Sequence, residues 1–144
     1  MQLLQQKDFK ALVDNHPRAI MLSTTEPRIA YVNRMFRAVT GYQADEVLGE
    51  APSLLSSGMH SSEFYQAMWD SIDHQGRWEG LIWNRRKNGE TYPQWLTIYP
   101  VEHDDRRFYA GVFMDVGDIT AGDERLASLA YYDPLTELPN RSLF

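Results

Sequence analysis

Apolar and polar positions alternate with two different periods along this chain, and the changes of period mark its elements. Near the start, Leu3, Leu4, Phe9, Leu12 and Val13 recur at near-helical spacing among Gln, Lys and Asp. That spacing predicts a short amphipathic helix, ended by His16 before Pro17. Two short apolar runs rich in β-formers follow, Ala19 to Ser23 and Ile29 to Val32, and read as strands around the turn-like stretch Thr24 to Arg28. Asn33 then stands where a helix cap belongs, ahead of Met35, Phe36, Ala38 and Val39, and Gly41 is the expected stop. Ala44 to Leu48 reads as one more helical turn, closed by Gly49. Ser61 opens a longer helix, bracketed by Glu63 and Gly76, in which Phe64, Tyr65, Met68, Trp69 and Ile72 keep helical spacing.

From Trp78 onward the period shortens to that of strands. Trp78 to Arg86, Thr91 to Val101 and Arg107 to Val116 form an expected antiparallel meander, with Asn88-Gly89 and His103-Asp104-Asp105 as its turns. Ile119 to Tyr132 carries Leu126, Leu129 and Ala130 among charged residues before Pro134 and Pro139, the pattern of an exit helix. The sum is an α+β domain: a five-stranded antiparallel sheet with several short helices and no internal repeat.

Composition then removes whole classes of chemistry. The 144 residues, 43% of them hydrophobic, suffice for one core. Fourteen basic against twenty acidic residues give a net charge of −6 with no block of like charge, which disfavours nucleic acid as a partner. There is no cysteine, so disulfides, thiolate metal sites, cysteine nucleophiles and photochemical addition of a cofactor to a thiol are excluded. No apolar run reaches membrane-spanning length, and residues 1–20 lack the order of a signal peptide, so a soluble cytoplasmic segment without membrane contact is expected. The acidic pairs Asp45-Glu46 and Asp104-Asp105 fall in polar settings where carboxylates are solvated, and no catalytic role is expected for them. His16, His60, His74 and His103 form no ligand cluster, so no metal is expected.

Particular residues carry a resemblance. Asn33 and Phe36 with Thr40-Gly41-Tyr42, Glu46 to Gly49, Gly76 with Trp78, Asn84 to Gly89 and the closing Asp118-Ile119-Thr120, in this order of elements, resemble a PAS sensory domain over about residues 8–120. In "LASLAYYDPLTELPNRSLF", Asp133 to Thr136 and Leu138 to Arg141 resemble the opening of a GGDEF domain, the family that makes cyclic di-GMP, although Glu137 stands where that family has glycine. The implied organisation is an N-terminal capping helix (1–16), a PAS domain (17–118), a signalling helix (119–132) and a truncated GGDEF start (133–144). Only a lead-in precedes Phe144, so the chain is expected to be no enzyme but the sensor of a bacterial signalling protein. The resemblance implies that the parent's output is a diguanylate cyclase, a cyclic di-GMP phosphodiesterase or both.

In PAS domains the sheet and the short helices enclose a pocket, so strand parity decides what lines it. Gly80, Ile82 and Asn84 share one face of the first long strand, and Gln94, Leu96 and Ile98 share one face of the next. A two-residue Asn88-Gly89 turn is expected to pair Asn84 with Pro93. A longer loop, the favoured reading, is expected to pair Asn84 with Gln94 and Ile82 with Leu96. Two carboxamides would then face an apolar cavity, where a heterocycle with edge donors and acceptors satisfies them.

The stretch Asn33 to Lys87 is similar to the flavin-binding PAS domain of nitrogen-fixation redox regulators. The resemblance implies FAD as cofactor, with Trp69, Asn84 and Gln94 as contacts and Ile82, Leu96 and Phe113 as walls. Pro52, Met21 and Phe113 depart from flavin-binding relatives and favour the alternative, a ligand-free dimerisation module; a small carboxylic acid in the same cavity is a third reading. Haem has only the unsupported His60 and His74, with His60 read as a solvated helix-start residue. Leu81 and Trp83 should point out of the cavity, toward the amphipathic face of the first helix. A homodimer through that helix and the outer sheet face is the expected assembly.

Overall fold

A computed structural model describes residues 5–117. The expected signalling helix (119–132), the segment 133–144, Asp118, Leu3 and Leu4 lie outside the described residues. Within them the order is α1 (Gln6–Asp14), β1 (Ala19–Thr24), β2 (Ile29–Val32), α2 (Arg34–Thr40), α3 (Ala44–Val47), a 3-10 turn (Pro52–Leu55), α4 (Ser62–Gln75), β3 (Trp78–Arg85), β4 (Thr91–His103) and β5 (Arg106–Asp115). The five strands form one antiparallel sheet in the order β2-β1-β5-β4-β3.

Local chemistry explains most boundaries. The Asn33 side chain accepts the Phe36 N–H at 3.0 Å to start α2, and the Ser61 hydroxyl accepts the Phe64 N–H at 3.2 Å to start α4. Gly41 and Gly76, both at φ +81°, end those helices in the left-handed conformation that glycine adopts without strain. Asp104 and Asp105, at φ 51° and 60°, make a two-residue turn, tighter than the expected His103-Asp104-Asp105 loop. The 3-10 turn is an element that periodicity missed, since four residues carry too little pattern; Pro52 at its start presets the backbone.

The helices cover one face of the sheet. Phe36, Val47, Leu55, Met68 and Ile72 from the helical segments meet Ala19, Val32, Trp78, Ile82, Leu96 and Phe113 from the strands in one buried cluster. The edge strand β3 is covered by residues 56–60: Ser56 bridges Asn84, and the Trp83 N–H donates to His60 Nε2 at 2.8 Å. Hydrogen-bond groups that would template another strand are thereby occupied.

Two expectations need correction. The β3–β4 hairpin pairs Asn84 with Tyr92 and Ile82 with Gln94, not Asn84 with Gln94 and Ile82 with Leu96. Arg86 N–H bonds the Glu90 carbonyl, so the loop is Lys87-Asn88-Gly89, and a three-residue loop sets the register two residues away from the expected pairing. Because the difference is two, the shared face survives. The second correction concerns α1. It docks at the opposite edge of the sheet from β3, where Asp14 accepts the Tyr31 hydroxyl at 3.3 Å and Val13 carbonyl accepts from Asn33. None of its residues is buried, and Leu81, opposite Trp95 in register, is buried without it.

Candidate functional site

The inner sheet face carries Ile82 and Asn84 from β3, Tyr92, Gln94 and Leu96 from β4, and Asp115, Phe113, Gly111 and Tyr109 from β5, at alternate positions as parity requires. Between this face, the 3-10 turn and α4 lies a cavity of about 340 Å³. All six residues singled out from the sequence, Trp69, Ile82, Asn84, Gln94, Leu96 and Phe113, line it. Their distribution is uneven. Phe113 packs edge-to-face on Phe36, with ring centres 5.9 Å apart, at the buried end. Trp69 is 36% exposed and stands edge-to-face with Tyr109 at 5.0 Å, toward solvent. Met21 and Pro52, the departures besides Phe113, also line the space, and the three together leave it open.

The polar end is built from β3 and β4. With its nitrogen toward the carbonyls of Leu55 (3.1 Å) and Trp83 (3.3 Å), the Asn84 amide places its oxygen 3.1 Å from Gln94 Oε1, two acceptors side by side with no hydrogen bond between the amides. Gln94, 1% exposed, reaches the Tyr92 hydroxyl at 2.5 Å through Nε2. Each amide therefore has protein partners, but neither uses all of its two donor and two acceptor positions.

Tyr92, Arg86 and Asp115 extend this end, and the sequence reading missed them as a group. The Arg86 guanidinium lies 3.9 Å from the centre of the Tyr92 ring, donates to the Val39 carbonyl at 2.7 Å, and pairs with Glu90 at 2.6 Å and with Asp115. Burial pushes the Tyr92 phenol up from its ordinary 10.0 to about 12, against the lowering effects of the Gln94 hydrogen bond and the Arg86 charge. Burial also works against the Arg86 charge, but Glu90 and Asp115 outweigh it and raise its pKa. Asp115 stands opposite Gln94 in register and closes β5, so a chain of polar contacts runs from the cavity amides to the end of the last strand. Parity alone puts Tyr92 beside Gln94; the Arg86 contact depends on the loop, which parity does not describe.

The histidines weighed for haem lie elsewhere. His60 does not line the cavity; its ring stacks on Phe64 at 4.0 Å while Nε2 accepts from Trp83, so it is a half-buried strand cap and not the solvated residue expected. His74 is exposed, with Nδ1 2.8 Å from the Asp70 carbonyl. Among the described residues no group of three or more His, Cys, Asp or Glu is placed to hold a metal ion, and no helix is long and apolar enough to cross a membrane.

Known proteins share this architecture. The nitrogen fixation regulatory protein of Klebsiella oxytoca is 33% identical over 93 residues, covering 65% of this chain and 19% of the regulator. The chain thus spans about a fifth of that relative's length. The LOV domain of a blue-light activated histidine kinase from Erythrobacter litoralis superimposes with a TM-score of 0.61 at 25% identity, over 69% of this chain and 95% of that domain. The Rhodobacter sphaeroides LOV protein shares the fold with a TM-score of 0.71 at 22% identity, over 87% of this chain and 75% of that one. The family model described as "PAS domain" matches residues 17–118. That span holds the whole sheet, the cavity and both carboxamides, and the chain belongs to the PAS domain family.

Proposed function

We propose that this PAS domain is the sensing module of a larger signalling protein and that its cavity takes a flavin, with FAD as the specific candidate. The observation that carries the reading is the convergence of Asn84 and Gln94, with hydrogen-bond capacity to spare, at one end of an otherwise apolar 340 Å³ cavity. The residues fit such a ring. Ile82, Leu96 and Phe113 wall its apolar body, the two amides meet a polar edge, and the half-exposed Trp69 stands where a nucleotide tail would leave. Similarity to a nitrogen fixation regulator and to the LOV domain of a blue-light activated kinase supports it, because side chains alone do not absorb blue light. A bound flavin supplies a redox couple and a chromophore. The absence of cysteine restricts the chain's own part to binding and orientation, since no thiol adduct can form.

Output leaves through the C-terminal end of β5. A change in the hydrogen bonds of Gln94 reaches Asp115 through Tyr92 and Arg86, and from there residues 119–132, the expected signalling helix, would pass it to the GGDEF output that the resemblance at 133–144 implies. The exposed Phe9, Leu12 and Val13 face of α1, together with the outer sheet face, brings two copies together in a cytoplasmic homodimer.

The test is spectroscopic. The purified chain should be yellow, release FAD on acid treatment and quench the fluorescence of added FAD with saturation. A colourless chain that leaves FAD fluorescence unchanged would overturn the flavin reading. It would favour the second one, a ligand-free module that only joins output domains, for which the protein partners already held by Asn84 and Gln94 speak.

A further inference from the structure

Gly111 occupies the middle of β5, a central strand, between Met21 of β1 and Ile98 of β4. Glycine there is unfavourable for the sheet, by roughly 0.5–1 kcal/mol relative to alanine. Gly41, Gly49, Gly58, Gly76 and Gly89 have a conformational reason, each with φ between +78° and +93°, and Gly111 is not among them. Crowding gives no reason either. A Cβ at Gly111 would lie 3.7 Å from Leu96 Cδ1, 3.8 Å from the Met21 carbonyl oxygen and 4.0 Å from Met21 Cε, all ordinary contacts. Neither backbone nor packing calls for glycine, yet the position faces the cavity.

We propose that Gly111 is the specificity-determining residue of this cavity. It leaves bare backbone on the floor between Phe113 and Tyr109, so that a planar heteroaromatic ring lies flat on the sheet with its polar edge at Asn84 and Gln94. A glycine gap inside a strand is where a ligand approaches the backbone closely. Met68 and Trp69 of α4 form the facing wall. A flexible acyl chain, which winds through irregular space, would gain nothing from a flat floor and would leave the amides unanswered. This inference rests on the flavin reading and names the residue that enforces it.

Gly111→Ala and Gly111→Leu test it through two readouts, thermal melting and titration with FAD, with the fluorescent fatty acid cis-parinaric acid as the contrasting probe. The alanine variant should melt at or above the temperature of the parent and bind FAD about tenfold more weakly, a loss of about 1.4 kcal/mol. The leucine variant should lose FAD binding, and the parent should prefer FAD to the fatty acid. An alanine variant that melts several degrees lower shows that the fold needs the glycine and overturns the proposal. So does a leucine variant that binds FAD as the parent does, which would leave the flavin reading standing. A parent that binds the fatty acid in preference to FAD, or neither, overturns both.

Discussion

Asn33 and the Asn84–Gln94 pair are carboxamides in the interior of the same domain, and they are used in opposite ways. Asn33, fully buried, spends everything: Oδ1 accepts from Ile20 N–H at 2.8 Å and Phe36 N–H at 3.0 Å, while Nδ2 donates to the carbonyls of Val13 and Arg18, both at 3.0 Å. Those four bonds tie the end of α1, the start of β1 and the start of α2 to one side chain. Asn84 and Gln94 lie side by side, bond only one hydroxyl and backbone carbonyls, and retain positions that face a cavity. A saturated buried amide is a structural joint; an unsaturated pair beside open space is what the proposed binding site requires.

Breaking the joint should have the largest effect. Asn33→Ala removes four hydrogen bonds, one of them fully buried and three partly so, a loss of roughly 3–5 kcal/mol at about 1 kcal/mol per bond. Urea unfolding reads it as a lower midpoint at unchanged slope. A loss below about 1 kcal/mol would mean that water takes over those bonds and that the contrast with Asn84 is false.

The next effect sharpens the polar end of the cavity. The Tyr92 phenol is held up at about 12 against an ordinary 10.0. Below pH 10 it is protonated in both folded and unfolded chains and contributes no slope. Between 10 and 12 the unfolded chain releases the proton while the folded chain keeps it, so stability falls as pH rises, by roughly 2–3 kcal/mol in all. Tyr92→Phe should remove that part of the alkaline loss. Identical alkaline profiles for parent and variant would show that the hydroxyl is not buried as the geometry has it.

The same contrast separates what the sequence revealed from what it hid. Asn33 was readable as a cap because capping is a local pattern, residue i to i+3; its bonds to Val13, Arg18 and Ile20 join segments up to twenty residues apart and leave no local trace. Asn84 and Gln94 could be placed on one face because strand parity is local, and they share it although the pairing expected for them was two residues off. Arg86 and Asp115 were invisible as a pair because a loop and a strand end bring them together across 29 positions. His60 read as solvated because its polar neighbours Ser61 and Ser62 dominate the local sequence, whereas its partner is the Trp83 backbone on an edge strand. Periodicity finds elements and faces; it does not find contacts made at the ends of elements.

The smallest effect on stability belongs to the cavity pair itself. Gln94→Leu alone keeps the volume of the side chain but leaves the buried Tyr92 hydroxyl without its 2.5 Å partner, so it should cost roughly 1–3 kcal/mol. Adding Tyr92→Phe removes the stranded group, and apolar replacement of both members of a buried hydrogen bond is close to neutral. The double variant should therefore unfold within about 1 kcal/mol of the parent, a coupling between neighbours that a double-mutant cycle measures directly. On the flavin reading FAD binding should not recover with it, because the amide that would answer the ring edge is gone. A double variant no more stable than Gln94→Leu would make Gln94 a joint like Asn33. One that regains both stability and FAD affinity would move recognition of the ring away from the amides altogether.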